Sequence, residues 1–173
     1  MNKIKRIINK KNKSKIVCLT AYSKNIAEEV DKHVDIVLVG DSLGSVLYNY
    51  STTRKVTLNE MINHSKSVRL GVKKSLMVVD MPYKTYDTTT SALKNAKKVL
   101  KETKCDAIKL EGGRKIIKQI KYLIKNNIPV MGHLGLLPQS VKGKFKSKGK
   151  NDKEIKQLIN DANLLEKNGV FAI

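Results

Sequence analysis

Apolar, β-branched runs alternate with helical patterns along this chain, and three of the runs end on an acid. Asp41 closes Ile36-Val37-Leu38-Val39-Gly40, Asp80 closes Leu76-Met77-Val78-Val79, and Glu111 closes Ala107-Ile108-Lys109-Leu110. A buried carboxylate without a partner is costly in a low-dielectric interior. Acids at the C-terminal mouths of parallel strands therefore read as a metal or catalytic cluster. This placement constrains the fold more than any bulk property.

The full pattern is strand, loop, helix, repeated. Strands are expected at residues 16–20, 36–41, 76–79, 107–110 and 128–131, and Val170-Phe171-Ala172-Ile173 reads as the start of a sixth. Helices are expected from about Ser23 to Lys32, from the Thr57-Leu58-Asn59-Glu60 capping box to Leu70 with Gly71 as the residue beyond its end, and over about 91–102, 114–125 and 152–167. Residues 42–56 and 132–151 read as long loops. Such βα alternation with Val/Ile-rich strands implies a parallel sheet. A doubly wound sheet would carry a glycine-rich phosphate turn after strand one. Here that turn is Thr20-Ala21-Tyr22-Ser23, without glycine. The expected fold is α/β of the (β/α)8 TIM-barrel type. Such barrels run to about 250 residues, so 1–173 is expected to form one incomplete domain, five βα units and the start of strand six.

Composition narrows the function class. The formal charge is +20, from 35 basic and 15 acidic residues. A nucleic-acid binder would show such an excess. Yet the arginines, the preferred readers of bases and phosphates, are only Arg6, Arg54, Arg69 and Arg114. The lysines are spread along the whole chain and concentrate only over 142–153, so nucleic acid is not the expected partner. No apolar run reaches membrane-spanning length, and the basic N-terminus lacks the apolar stretch of a secretory signal. Cys18 and Cys105 are far apart and form no C-x-x-C, as reduced thiols of a cytoplasmic protein would.

Strand alternation puts Lys109 and Glu111 on one face, with Leu110 opposite. A self-satisfying ion pair would explain those two alone. Asp41 and Asp80 at equivalent strand ends favour a site. Several carboxylates with room for water suit Mg²⁺, a hard cation that prefers oxygen. Such an ion can chelate a 2-keto acid and act on it as a Lewis acid, stabilising an enolate. Lys109 could neutralise the substrate carboxylate, and Ser42 could hydrogen-bond it. His133, in Gly132-His133-Leu134-Gly135, could be a ligand, a proton carrier or a donor that supports the ligands; its rim position favours the supporting role. His33 and His64 lie in helical segments and receive no role. Tyr22 could line the mouth or simply pack.

Four segments in order carry a family likeness: Val39-Gly40-Asp41-Ser42-Leu43-Gly44, Val79-Asp80-Met81-Pro82, Lys109-Leu110-Glu111-Gly112-Gly113, and 129–141 with Gly132-His133-Leu134-Gly135-Leu136 and Pro138-Gln139-Ser140-Val141. Together they closely resemble the ketopantoate hydroxymethyltransferase (3-methyl-2-oxobutanoate hydroxymethyltransferase) family of pantothenate biosynthesis. The resemblance implies a (β/α)8 barrel, Mg²⁺, and 5,10-methylenetetrahydrofolate as one-carbon cosubstrate. It puts the metal on Asp41, Asp80 and Glu111, and the keto acid on Asp41, Ser42, Asp80 and Lys109. The reaction it implies is aldol-like: a base takes the C3 proton of 3-methyl-2-oxobutanoate, and the enolate attacks the methylene carbon to give 2-dehydropantoate. A homo-oligomer is implied as well.

The chain also departs from the family pattern. Ser23 stands where an Asp is usual. Residues 51–57 replace Asp-Ser-Thr-Leu-Pro-Val-Thr with Ser-Thr-Thr-Arg-Lys-Val-Thr. Gly143–Gly149 is a shortened, altered lid candidate. In the family, strand six continues into Leu-Glu, whose glutamate is the base, and that position would follow Ile173. No catalytic residue is therefore assigned within 1–173, and the chain alone is expected to be inactive. The alternatives are a non-catalytic subunit that keeps Mg²⁺ and keto-acid binding or serves assembly, and a basic nucleic-acid-binding protein.

Overall fold

A computed structural model describes residues 2–141 and 145–173. Among these residues five strands, β1 (Cys18–Thr20), β2 (Ile36–Val39), β3 (Leu76–Asp80), β4 (Ala107–Glu111) and β5 (Val130–His133), form one sheet in sequence order. Every neighbouring pair is parallel. This is how successive strands of a (β/α)8 barrel are arranged, and the described strands make an open arc of it. Residues 170–173 lie parallel to β5, with a single bridge from Met131 to Ala172 and the Gly132 N–H donating to the Ala172 carbonyl at 2.8 Å. They occupy the place expected of strand six but form only that bridge.

Among the described residues, seven α-helices accompany the strands: α1 (Lys3–Ile8), α2 (Lys24–Val30), α3 (Leu43–Tyr48), α4 (Leu58–Gly71), α5 (Thr89–Thr103), α6 (Ile117–Lys125) and α7 (Asp152–Lys167). The α7 bounds match the sequence reading. The Thr57 capping box of α4 is formed, with the Glu60 carboxylate returning to the Thr57 N–H. Two short helices were not foreseen. Residues 42–56 hold α3 and a 3-10 turn at Thr53–Lys55, and the N-terminal stretch forms α1.

Gly71 corrects the reading at the end of α4. It is the last helical residue, and Val72 is the cap. A Cβ there would lie 2.5 Å from the Lys24 carbonyl oxygen and 2.7 Å from the Glu28 nitrogen. Glycine lets α2 and α4 touch backbone to backbone, and the position is chosen by packing rather than by chain reversal.

Strand alternation divides the core into two layers. Val37, Val39, Met77, Val79, Ile108, Leu110 and Val130 face the helices. Ile36, Leu76, Val78 and Ala107 face the concave side, joined by Leu38, Met131 and Phe171. Helix α1 plugs the foot of that concave side with Ile4 and Ile7, and Ile7 is buried. Above this apolar floor the same inward-facing positions carry Asp80, Lys109 and Glu111. At the outer strand, β1, residues Ile16, Val17 and Leu19 are exposed.

Candidate active site

The site begins where β2 ends. Gly40 brings two polar groups close, since a Cβ there would sit 2.8 Å from Ser42 Oγ and 3.5 Å from Asp80 Oδ2. The turn into α3 carries Asp41 and Ser42. Asp41 donates its backbone N–H to Asp80 Oδ2 at 3.3 Å. On the next strand Lys109 Nζ donates to Asp80 Oδ1 at 2.7 Å, and both side chains are largely enclosed. The inward pairing of Lys109 and Glu111, with Leu110 buried behind them, follows the expected alternation.

Glu111 is engaged differently. Its two oxygens accept the backbone N–H groups of Gln139 and Ser140, at 3.2 and 3.1 Å. The Gln139 side-chain amide donates to Asp41 Oδ2 at 2.8 Å and to the Met81 carbonyl at 3.0 Å. The buried Tyr86 hydroxyl donates to Gln139 Oε1. One glutamine thus ties the acid after β2 to the acid ending β4. His133 Nδ1 lies 3.9 Å from Glu111 Oε2. On the other flank the Tyr22 and Ser42 hydroxyls share a hydrogen bond of 2.8 Å, and His64 Nδ1 meets the Tyr22 carbonyl at 2.8 Å.

The electrostatics mark a site short of positive charge. Burial, and next the Asp80 charge, raise Asp41 to about 6. Burial raises Glu111 to about 7, with the Asp41 charge adding to it and the two backbone donors opposing. Burial, and next the Lys109 ammonium, lower His133. The buried Thr53 hydroxyl stands near Asp41 and, with Gln139 and the Lys109 charge, opposes the rise there.

Not all the expected residues converge to the same degree. Asp41, Ser42, Asp80 and Lys109 come together at one rim. Among the described residues, however, no group of three or more His, Cys, Asp and Glu side chains is arranged to hold a metal ion. Asp41 and Asp80 lie within repelling range of each other, while the Glu111 carboxylate is taken up by amides. The donors present are hard carboxylate oxygens, with Lys109 balancing only part of their charge, and that donor chemistry fits Mg²⁺. Such an ion is commonly bound through one or two carboxylates, with water and substrate completing the shell. Gln139 and Tyr86 were missed as site residues. Gln139 stood within the Pro138-Gln139-Ser140-Val141 segment, but no pattern showed that its amide folds back onto Asp41. The lid candidate Gly143–Gly149 lies in part outside the described residues.

A parallel α/β arc with polar residues gathered at its C-terminal mouth defines the class. Its solved neighbours share that fold at low identity. Phosphonopyruvate hydrolase in complex with oxalate and Mg²⁺ superposes with a TM-score of 0.72 at 8% identity, over 98% of this chain and 61% of that one. 2,3-Dimethylmalate lyase, of the PEP mutase/isocitrate lyase superfamily, gives 0.66 at 10% identity, over 98% and 60%.

Sequence comparison is more specific. The family model for ketopantoate hydroxymethyltransferase matches residues 1–173, and the chain belongs to that family. It is 66% identical over 171 residues to the 3-methyl-2-oxobutanoate hydroxymethyltransferase of Pelagibacter ubique, covering 99% of this chain and 66% of that protein. The proteins of the same name from Rhizobium etli and Clostridium botulinum are 47% and 49% identical, covering 97% and 94% of this chain. The chain spans 63% and 61% of their lengths. No helix among the described residues is long and apolar enough to cross a membrane.

Proposed function

We propose that the chain carries the keto-acid half of a hydroxymethyl transfer from 5,10-methylenetetrahydrofolate to 3-methyl-2-oxobutanoate, giving 2-dehydropantoate. The observation that carries this reading is the convergence of Asp41, Ser42, Asp80 and Lys109 at one strand mouth, within a chain of this family. Asp41 and Asp80 would hold Mg²⁺, with Glu111 reaching it through water. The ion would supply Lewis acidity toward the keto oxygen.

The chain's own groups do the rest of the positioning. Lys109, anchored on Asp80, presents an ammonium to the substrate carboxylate. The Ser42 hydroxyl, held by Tyr22, is a second donor for the same group. Gln139 fixes the direction of the Asp41 carboxylate, and His133 stands beside Glu111 as a supporting donor. The apolar floor of buried Val78 and half-buried Leu38 and Met131 gives the branched end of the acid an apolar neighbour. A homo-oligomeric, cytoplasmic enzyme fits the same reading.

The test is calorimetric titration of 3-methyl-2-oxobutanoate with and without Mg²⁺. Mg²⁺ should raise the affinity at least tenfold. Asp41→Asn and Asp80→Asn should each remove that increment, and Lys109→Ala should weaken the acid while leaving Mg²⁺ binding nearly intact. Mg²⁺-dependent binding that survives Asp41→Asn would sink the reading.

A further inference from the structure

Helix α3 has Ser42 as its N-cap and ends at Tyr48. It buries Leu43 and Gly44 in its first turn and leaves Val46, Leu47 and Tyr48 exposed. A helix of 6 residues gains little stability by itself. Side-chain bonds therefore decide where this one sits. At its far end the bond runs to His64, half-buried on α4, whose helical setting alone carries no functional signal. His64 Nε2 lies 2.5 Å from the Tyr48 hydroxyl, with the two rings edge to face at 5.8 Å.

The partners of His64 fix its proton. The Tyr22 carbonyl can only accept, so Nδ1 carries the hydrogen and donates to it at 2.8 Å. In that tautomer Nε2 is an acceptor, and the Tyr48 hydroxyl donates to it. Tyr22 then closes a circuit, since its hydroxyl and that of Ser42 share a hydrogen bond of 2.8 Å. Ser42, Tyr22, His64 and Tyr48 are linked in turn, and α3 itself joins the two ends. His64 is the member that reaches both the turn after β1 and the end of α3. Tyr50 steadies the same end, packing against Tyr48 at 5.5 Å and donating to Glu60 on α4 at 3.2 Å. Loss of His64 therefore loosens α3 without removing every anchor.

Direction matters at Ser42. A serine that spends its hydrogen on Tyr22 has none to give a carboxylate. When Tyr22 donates instead, the Ser42 hydrogen stays available for a ligand. That arrangement needs the Tyr22 main chain and α3 held in one relation, and both holds pass through His64.

We infer that His64 is a positioning residue of the keto-acid site: it pins the Tyr22 main chain and the Tyr48 end of α3, so that Ser42 stands with its hydroxyl hydrogen free for the substrate carboxylate. His64 itself touches no substrate. The inference rests on the hydroxymethyl-transfer reading for the ligand and on the hydrogen-bond circuit for the residue.

The experiment titrates 3-methyl-2-oxobutanoate at saturating Mg²⁺ into the 173-residue chain and into His64→Ala, His64→Asn, His64→Gln, Ser42→Ala and the His64→Ala/Ser42→Ala double variant. His64→Ala should weaken the acid about fivefold, the size of one lost hydrogen bond. An Asn amide stands where Nδ1 stands and keeps the donor to Tyr22, so His64→Asn should recover most of that loss. A Gln amide stands where Nε2 stands and should behave as Ala. In the Ser42→Ala background, His64→Ala should have no further effect, because both act through one hydroxyl. Mg²⁺ binding measured without the acid should not change. Additive losses, or an equal loss of Mg²⁺ binding, would show that His64 only supports the fold and would overturn the inference. A wild type that binds no keto acid would sink the hydroxymethyl-transfer reading, and the circuit is then judged on the ligand-free chain by amide hydrogen exchange. Residues 42–48 should exchange faster in His64→Ala than in His64→Asn, which keeps the positioning of Ser42; equal rates would overturn it.

Discussion

At the foot of the strand arc, Asp31 is buried and fully served: its carboxylate accepts the backbone N–H groups of Lys73, Lys74 and Ser75 just before β3. At the mouth, Asp41 is also buried, but it faces a second carboxylate, has no backbone donors among the described residues, and is met by the Gln139 amide and the nearby Thr53 hydroxyl. The two acids titrate in opposite directions. Burial raises Asp31, yet the Lys74, Ser75 and Lys73 donors outweigh it and bring it to about 2. Burial and Asp80 leave Asp41 at about 6. A buried acid surrounded by donors stabilises the fold; one left short of them is a candidate for binding.

Ile7 tests the foot of the arc and should show the largest effect. Its side chain is buried between α1 and the inward residues of β2, β3 and β4. Ile7→Ala should cost about 3–4 kcal/mol, as buried aliphatic truncations do, measured by urea unfolding. A loss below 1 kcal/mol would show that α1 does not seal the foot.

Asp31→Ala should follow, at about 2–3 kcal/mol near neutral pH, from the size of the downward shift. The sign follows from the depressed folded value. The stabilisation is present above the ordinary carboxylate value of 3.8 and fades as pH falls through about 2. Wild type and variant should therefore differ at pH 6 and converge near pH 2. A constant gap across that range would mean the loss is one of packing, not charge.

What the sequence made legible follows the same division. The acids at the mouth were readable because a charged residue at the end of an apolar strand breaks a strong pattern, and alternation then assigns Lys109 and Glu111 to one face. The foot was not readable. Lys3–Ile8 is short and lysine-rich, and its Ile4 and Ile7 gain meaning only against Ile36 and Leu76, which lie far along the chain. Helix α3 was hidden for a related reason. Its exposed Val46, Leu47 and Tyr48 leave no clear amphipathic face to read. Gln139 joins Asp41 across a sequence separation of 98 residues, a contact that no local pattern encodes. The third carboxylate, Glu111, was placed correctly on its strand, but the sequence could not show that backbone amides would claim it.

The smallest effect, and the most diagnostic, belongs to Asp41→Asn in the absence of ligand. The substitution removes a charge that burial and Asp80 both oppose, while an amide of the same shape can still accept from Gln139. A group held in an unfavourable ionisation state is a stability cost that function retains. In Mg²⁺-free buffer at neutral pH the variant should therefore be more stable than wild type by about 1 kcal/mol, well under what the bare shift would give, because the amide forgoes part of the Gln139 contact. Saturating Mg²⁺ should erase or reverse that advantage, since only the wild-type pair of carboxylates gains from the ion by mass action. Paired thermal melts with and without Mg²⁺ measure both halves. If Asp41→Asn destabilises the metal-free chain as Asp31→Ala does, the contrast between mouth and foot fails, and Asp41 is a structural acid like Asp31.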